Sequence, residues 1–379
     1  MKFPPFCPNS LCPQNNPKVV IKRRRKNLTT FHKHGTRYTQ AFGRVQRYRC
    51  PICGATFSTQ TFSLDYYAKK IIDYHDIQDL VVSSTSIRAI GRILSCTPAT
   101  VLNRCMRLSR QCAAVDAEIL SQVDLAEDLV VDGFESYVFS KYHPNNINIA
   151  VGSDSAFLYG TTYTQLNRKG SMTDEQKIKS AELKKSNKHP AESTVTPIQL
   201  LCVQISPLIA SSKRKGKTTI FSDRHHSYPR PICELGSSII HKQTSSHKPR
   251  TKENPLAPVN YADREFRKDL AEHVRKTICY GKNVNNQIDR FTIYTHWHNY
   301  LKQYRINDPK AQKHLRHADM AGIAKEVVHK AATKMYTKRK FVSHVWDKLS
   351  WFHKVWWVRL LENPEVGSKQ YVPQYLTSF

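Results

Sequence analysis

The stretch "LVVDGFESYVFS", residues 129–140, decides the fold. Leu129, Val130 and Val131 run straight into Asp132, and apolar alternation resumes at Tyr137, Val138 and Phe139. A short apolar run followed by alternation reads as a β-strand with a buried face. Asp132 interrupts it where burial is expected, and an unpaired buried carboxylate is costly. It is therefore either a strand-end turn residue or a ligand of a cation. Glu135 lies three residues further along, so its side chain belongs to the opposite face.

Working outward, "NINIAVGSD" (146–154) and "AFLYGTTYTQL" (156–166) read as two more strands joined by a turn at Ser153–Ser155. Together with 129–140 they form an antiparallel meander that opens a mixed α/β domain. A Lys-rich polar stretch at 169–193 reads as an inserted excursion. Residues 196–210, "TPIQLLCVQISPLIA", form an apolar helix carrying Pro207. Thr218–Phe221 is a short buried strand that ends at a second carboxylate, Asp223, and "SSIIHKQT" (237–244) is another strand. "NYADREFRKDLAEHVRKTICYGKN" (260–283) predicts a helix over 260–275 with Asn260 as its cap and Phe266, Leu270 and Val274 on its apolar side. Asp263 and Glu265 fall in its first turns.

Two strand-borne aspartates and an acid on a later helix suggest a site for two divalent cations. Phosphoryl transfer uses a pair of metal ions about 3.5–4 Å apart, held by oxygen ligands. Carboxylates at neighbouring strand ends can share such ions, and a helix carboxylate can close the site. Asp132, Asp223 and one of Asp263 or Glu265 are the candidate catalytic and Mg²⁺- or Mn²⁺-holding residues. The last two point about 200° apart on a helix, so both are not expected to reach one ion.

Upstream, Cys7 and Cys12 ("CPNSLC") and Cys50 and Cys53 ("CPIC") form two pairs, the second followed by Gly54. Paired thiolates on two turns supply the four soft ligands of tetrahedral zinc. Residues 1–62 read as a zinc ribbon, since their Pro and Asn/Gln content makes a poor apolar core. Cys96, Cys105, Cys112, Cys202, Cys233 and Cys279 lack such pairing and are expected in the core. Residues 83–112 then read as a helix-turn-helix within a unit spanning 63–123, continued by a linker helix at 109–123. Ser86 caps one helix with Ile87, Ile90, Ile93 and Leu94 on its apolar side. Thr97 caps a second that starts with Pro98 and buries Val101, Leu102, Cys105 and Leu108. Thr100, Asn103 and Arg104 on the second helix, with Arg88 on the first, are candidate major-groove contacts.

Lys and Arg number 59 against 30 acids, a formal net charge of +29. Basic runs recur along the chain, among them Lys213, Arg214 and Lys215 within "KRKGK", which are further candidate DNA contacts. A charge of this size favours a polyanionic partner, and nucleic acid first. No apolar run is long enough to span a bilayer and no apolar signal segment opens the chain. A cytoplasmic, nucleoid-associated protein is expected. "FTIYTHWHNYLKQYRIN" (291–307) reads as an aromatic helix that closes the catalytic unit at 124–307, with His296 and His298 as packing residues. The helical segment 308–379 carries Trp346, Trp351, Trp356 and Trp357, expected to form one apolar helix face.

Together these motifs resemble the DDE transposases of bacterial insertion sequences, in particular those with a zinc ribbon and helix-turn-helix ahead of the catalytic domain. The resemblance rests on "RYRCPICGATFS", on "DGFESYV" (132–138), on "FSDRHHSY" (221–228) and on "RKTICYGKN" (275–283), and spans roughly residues 7–305. It implies an RNase H-like catalytic fold and metal-dependent strand cleavage and strand transfer. The DNA partners would be terminal inverted repeats and a target duplex, bound by a homo-oligomer. The chain departs from the family at the third acid, where Asp263 fits by spacing, Glu265 by residue type, and Glu272 is a distant choice. The alternatives are a non-catalytic DNA-binding regulator derived from such a transposase and an RNase H-like structure-specific nuclease.

Overall fold

A computed structural model describes residues 3–186, 195–245, 247–274, 277–304 and 314–364, with side chains left out of the description at 184–186. Part of the Lys-rich stretch (187–193), Arg275 and Lys276 of the basic block, the end of the 291–307 segment and the chain beyond 364 lie outside these residues.

The N-terminal module comprises helix α1 (Pro17–Arg25), capped by the Asn16 side chain, and strands β1 (His32–Thr39), β2 (Gly43–Arg49) and β3 (Thr56–Ser58) in a three-stranded antiparallel sheet ordered β1-β2-β3. Its small core is built on Cys7, Cys12, Cys50 and Phe57.

Helices α2 (Tyr74–Val82), α3 (Ile87–Ile93) and α4 (Pro98–Leu120) follow. Ser86 and Thr97 cap α3 and α4 as expected, each accepting a backbone N–H. The second helix and the linker helix are, however, one continuous 23-residue helix. No Gly or Pro interrupts 99–120, so nothing in the chain stops it. Ile93, expected on the apolar side, is 60 % exposed at the end of α3.

The central sheet has five strands: β4 (Leu129–Tyr137), β5 (Pro144–Gly152), β6 (Leu158–Gln165), β7 (Thr218–Asp223) and β8 (Ile239–Thr244), in the order β6-β5-β4-β7-β8. The first three pair antiparallel, and β4 with β7 and β7 with β8 pair parallel. The meander thus sits beside a parallel pair, with β4 at the centre. Between β6 and β7 come α5 (Asp174–Ser186) and the apolar α6 (Val195–Ala210). Short α7 (Pro229–Cys233) links β7 to β8.

Helix α8 (Ala257–Asp269) begins three residues before its expected cap. Pro258 sits in its first turn, where a missing N–H costs nothing. Asn260 lies inside the helix, its amide donating to the Leu256 carbonyl at 2.9 Å. The helix ends at Asp269, and Val274, expected on its apolar side, is exposed. Helix α9 (Val284–Tyr300), capped by Asn283, starts seven residues before the predicted segment and is buried along most of its length. The remaining helices are α10 (His317–Met320), α11 (Lys325–Ala332), α12 (Val342–Val345) and α13 (Trp351–Trp357).

One continuous core joins α2–α4, the five-stranded sheet, α8, α9 and the C-terminal helices. The C-terminal segment ties the parts together. Ser63 bridges Lys338, Phe341 packs edge-on against Phe6, and Gln111 donates to the Met335 and Lys338 carbonyls. Asp289, buried on α9, accepts from Ser109 at 3.0 Å, Trp356 at 3.1 Å and Arg359 at 2.5 Å. The four tryptophans do not form one face: Trp356 and Trp357 are buried, while Trp351 is 63 % exposed. Cys105, Cys112 and Cys202 are core residues as expected, whereas Cys233 and Cys279 are exposed.

Candidate active site and metal centre

Parallel pairing aligns Leu129 with Ile220 and Val130 with Phe221. Asp132 and Asp223 lie two residues beyond that last pair, each at the same offset on its strand, and the charge of Asp223 reaches Asp132. Both side chains then leave the same face, because adjacent residues of paired strands do so. Helix α8 covers that face. Phe134, two residues beyond Asp132, meets the ring of Phe266 edge-on at 5.2 Å. Asp263 lies three residues before Phe266 and thus on the same side of α8, which directs it toward Asp132.

The electrostatics show that these carboxylates feel one another. Burial, opposed by the Gly133 N–H and reinforced by Asp223, pushes Asp132 up to about 6. Burial, followed by the Asp132 charge, pushes Asp263 up to about 7. The Asp263 Oδ1 atom is buried with no hydrogen-bond partner. Tyr228, in α7's leading turn, is buried with its hydroxyl 3.5 Å from Asp132 Oδ1; burial and the charges of Asp132, Asp223 and Asp263 hold that hydroxyl protonated. Arg250 is an exposed cation that favours the ionised forms of both Asp132 and Asp263. Tyr228 and Arg250 escaped the sequence reading as site residues, although Tyr228 lies in the quoted "FSDRHHSY" motif.

Glu265 occupies a different environment. Its carboxylate, 5 % exposed, pairs with Lys268 at 2.6 Å, with Arg264 at 3.5 Å and with Lys302. Burial works against its charge, but hydrogen bonds from Lys268 and Lys302 prevail and hold it below the usual carboxylate range. With those cations around it, Glu265 is a structural anion on the far side of α8, and not a free ligand beside Asp132. Glu272 is likewise engaged, in a buried ion pair with Arg290 at 2.5 Å. Glu135 is exposed, as its place on the opposite strand face requires, although its charge still raises Asp263 slightly. His296 donates to Asp116 at 2.7 Å and His298 stacks on His317 at 3.8 Å, so both are packing residues.

Among the described residues, the four N-terminal cysteines are the group whose ligand atoms all lie within 4.8 Å of one another. Cys7 Sγ is 3.6 Å from Cys53 Sγ and Cys12 Sγ is 3.7 Å from Cys50 Sγ. Zn–S bonds of about 2.3 Å at tetrahedral angles require S···S edges of about 3.8 Å, so the cluster can hold a metal such as zinc. Backbone turns set these positions. Gly54 N–H donates to the Cys50 carbonyl at 2.9 Å, and Gly54 takes φ +72°, a left-handed conformation suited to glycine. Burial alone would raise Cys50, but N–H groups of Cys53 and Ile52 lower it to about 7, while burial leads Cys12 up to about 11 and Cys7 higher still. A cation would relieve that crowding of thiols.

The candidate DNA contacts are divided. Arg88 and Asn103 are exposed and Thr100 is half-buried with its hydroxyl on Thr97 at 3.0 Å. Arg104 is only 3 % exposed, paired with Asp65 at 3.2 Å and donating to Tyr74 and the Lys70 carbonyl. It locks α4 to the preceding segment and is unavailable to a groove. Lys213, Arg214 and Lys215 are exposed; Lys213 pairs with Asp124 at 3.7 Å and Arg214 with Asp128 at 2.8 Å. No helix among the described residues is long and apolar enough to cross a membrane.

Sequence reading also missed Glu127. This buried carboxylate accepts from the N–H groups of Asp154 at 2.8 Å and Ser155 at 2.9 Å and from the Tyr159 hydroxyl at 2.9 Å. It fastens the β5–β6 turn, and its position in a polar loop gave no periodic signal.

No protein-family model matches this chain, and no curated protein is similar to it at a significant level.

Proposed function

We propose that the chain is a DNA transposase of the DDE type, cutting and joining DNA strands by metal-dependent phosphoryl transfer. The observation that carries this reading is the meeting of Asp132 and Asp223 on adjacent parallel strands with Asp263 on the covering helix, in a protein of net charge +29. The strand order β6-β5-β4-β7-β8, with an antiparallel meander leading into a parallel pair, supports an RNase H-like assignment of the sheet.

Asp263, and not Glu265, is the third acid on this reading. The three aspartates share one electrostatic environment, and the orphaned Asp263 Oδ1 is an oxygen ligand lacking a partner. Mutual repulsion among them is what a divalent cation relieves, so on this reading Asp132, Asp223 and Asp263 would hold Mg²⁺ or Mn²⁺, drawing together carboxylate oxygens that do not all lie within 4.8 Å of one another in the metal-free chain. When bound, such ions supply Lewis acidity to the attacking and leaving oxygens. The chain's own residues position the reaction. Tyr228 orients the Asp132 carboxylate, Arg250 offers a cation for a phosphate oxygen, and the surrounding basic surface holds the DNA backbone. Water attacks the scissile phosphorus first, forming one P–O bond as the bond to the 3′-oxygen breaks. The freed 3′-hydroxyl then attacks the target phosphodiester and displaces its 3′-oxygen.

A strand-transfer assay with Asp132→Asn tests the reading. Loss of joining with DNA binding retained is expected, and undiminished joining would overturn it.

A further inference from the structure

The first 64 residues contain twelve Lys or Arg and no Asp or Glu. They carry +12 of the +29 in about a sixth of the chain, so no carboxylate within the module can neutralise its cations. Five of the twelve, Lys33, Arg37, Arg44, Arg47 and Arg49, lie on the β1–β2 hairpin; six lie on or just after α1, where Arg23 and Arg24 donate to the Thr29 and Pro4 carbonyls. Every residue of β1 is exposed except Thr39, which is half-buried, and β1 is an edge strand with a neighbour on one side alone. Tyr38 is 78 % exposed.

Pairing sets Arg37 opposite Val45 and His32 opposite Arg49. Side chains alternate across a strand, so Val45, Arg47 and Arg49 share one side of β2, and Arg37 joins them. Tyr48 takes the other side, where it stacks on Phe57 over the cysteine core at 6.0 Å. The arginines therefore line the side turned away from that aromatic packing. Among the described residues, none of Lys33, Arg37, Arg44, Arg47 and Arg49 is ion-paired.

We infer that this hairpin is the chain's principal duplex-DNA contact, a two-stranded ribbon that lies against the phosphate backbone at a groove. A two-stranded ribbon fits the major groove as a helix does. Arginine suits phosphate because its planar fork binds two oxygens at once. The helix at Pro98–Leu120 is a weaker candidate, since Arg104 is spent on Asp65 and the helix beyond Asn103 is mostly buried. A second copy of the chain pairing with the open edge is disfavoured by the facing positive charges. The inference rests on the transposase reading only for its choice of duplex DNA among polyanions.

The test measures binding of the full, zinc-loaded chain to a short random-sequence duplex by fluorescence anisotropy over a range of salt concentrations. Each lost phosphate contact lowers the slope of log K against log[salt] by about 0.9. The triple variant Arg37→Ala/Arg47→Ala/Arg49→Ala is expected to lower it by about 2 to 3, with zinc content and melting temperature unchanged. Lys325→Ala/Lys330→Ala, two exposed positions elsewhere, should leave the slope nearly intact. If the triple variant loses zinc, Arg37→Ala on the open strand takes its place, with an expected fall of about 1. An unchanged slope overturns the proposal, as does equal or tighter binding to double-stranded RNA or to single strands. Binding is read without catalysis, so an inactive chain that binds through the hairpin would sink the transposase reading and leave this one standing.

Discussion

The replacement Asp263→Asn should make the metal-free protein more stable, not less. Asp263 rises from 3.8 to about 7 in the folded chain. Such a carboxyl binds its proton more tightly folded than unfolded. Between about pH 4 and pH 7 the folded state therefore holds a proton that the unfolded state has released, and stability falls as pH rises. Above pH 7 the full penalty is present. A shift of about 3 units corresponds to at most about 4 kcal/mol. Part of that is repulsion shared with Asp132, and the side chain keeps some solvent contact, so about 1–3 kcal/mol is expected. At about 2 °C per kcal/mol, Asp263→Asn melts about 2–6 °C higher at pH 8, and the gain shrinks toward zero as pH falls to 4. Glu265→Gln has the opposite sign. It strips the anion from Lys268 and Lys302, and breaking a buried pair by removing one partner costs about 3–5 kcal/mol. Scanning calorimetry of both variants without divalent metal, at pH 5 and pH 8, decides the matter. A destabilised Asp263→Asn at pH 8, or a harmless Glu265→Gln, would refute the assignment of roles on α8.

Arg104→Ala should cost about 3 kcal/mol by orphaning Asp65, yet leave the salt dependence of DNA binding unchanged; a lost phosphate contact with an unaltered melting temperature would reverse that view. Chelation of the cysteine cluster, or Cys50→Ser, should unfold the N-terminal module, seen as loss of its strand signal with the main transition retained. Gly152→Ala places a Cβ 2.2 Å from Glu127 Oε1 and should cost about 1–3 kcal/mol, measured by denaturant titration.

Much of the site was legible because it lies on local signals. The run into Asp132, the short strand into Asp223 and the two cysteine pairs each declare themselves within a dozen residues. The choice between Asp263 and Glu265 was not legible, because it turns on partners far away in the chain. Phe134 draws one side of α8 onto the sheet, and Lys302, 37 residues beyond Glu265, claims the other. Arg104 misled for the same reason: a basic residue at an apparently exposed helical position is buried because Asp65, 39 residues upstream, receives it. The start of α8 was readable and was misread. Pro258 is a stronger marker of a first turn than Asn260 is of a cap. The single long α4 was readable too, since no breaker follows Pro98.

The central claim is that Asp132, Asp223 and Asp263 together hold the ions that drive strand cleavage. Mn²⁺ binding followed by electron paramagnetic resonance, with duplex cleavage assayed on the same samples, tests it most directly. Bound Mn²⁺ and cleavage are expected in the wild-type chain, with loss of both in Asp132→Asn and Asp263→Asn and retention of Mn²⁺ binding in Glu265→Gln. Mn²⁺ binding that survives Asp263→Asn and disappears in Glu265→Gln would contradict it.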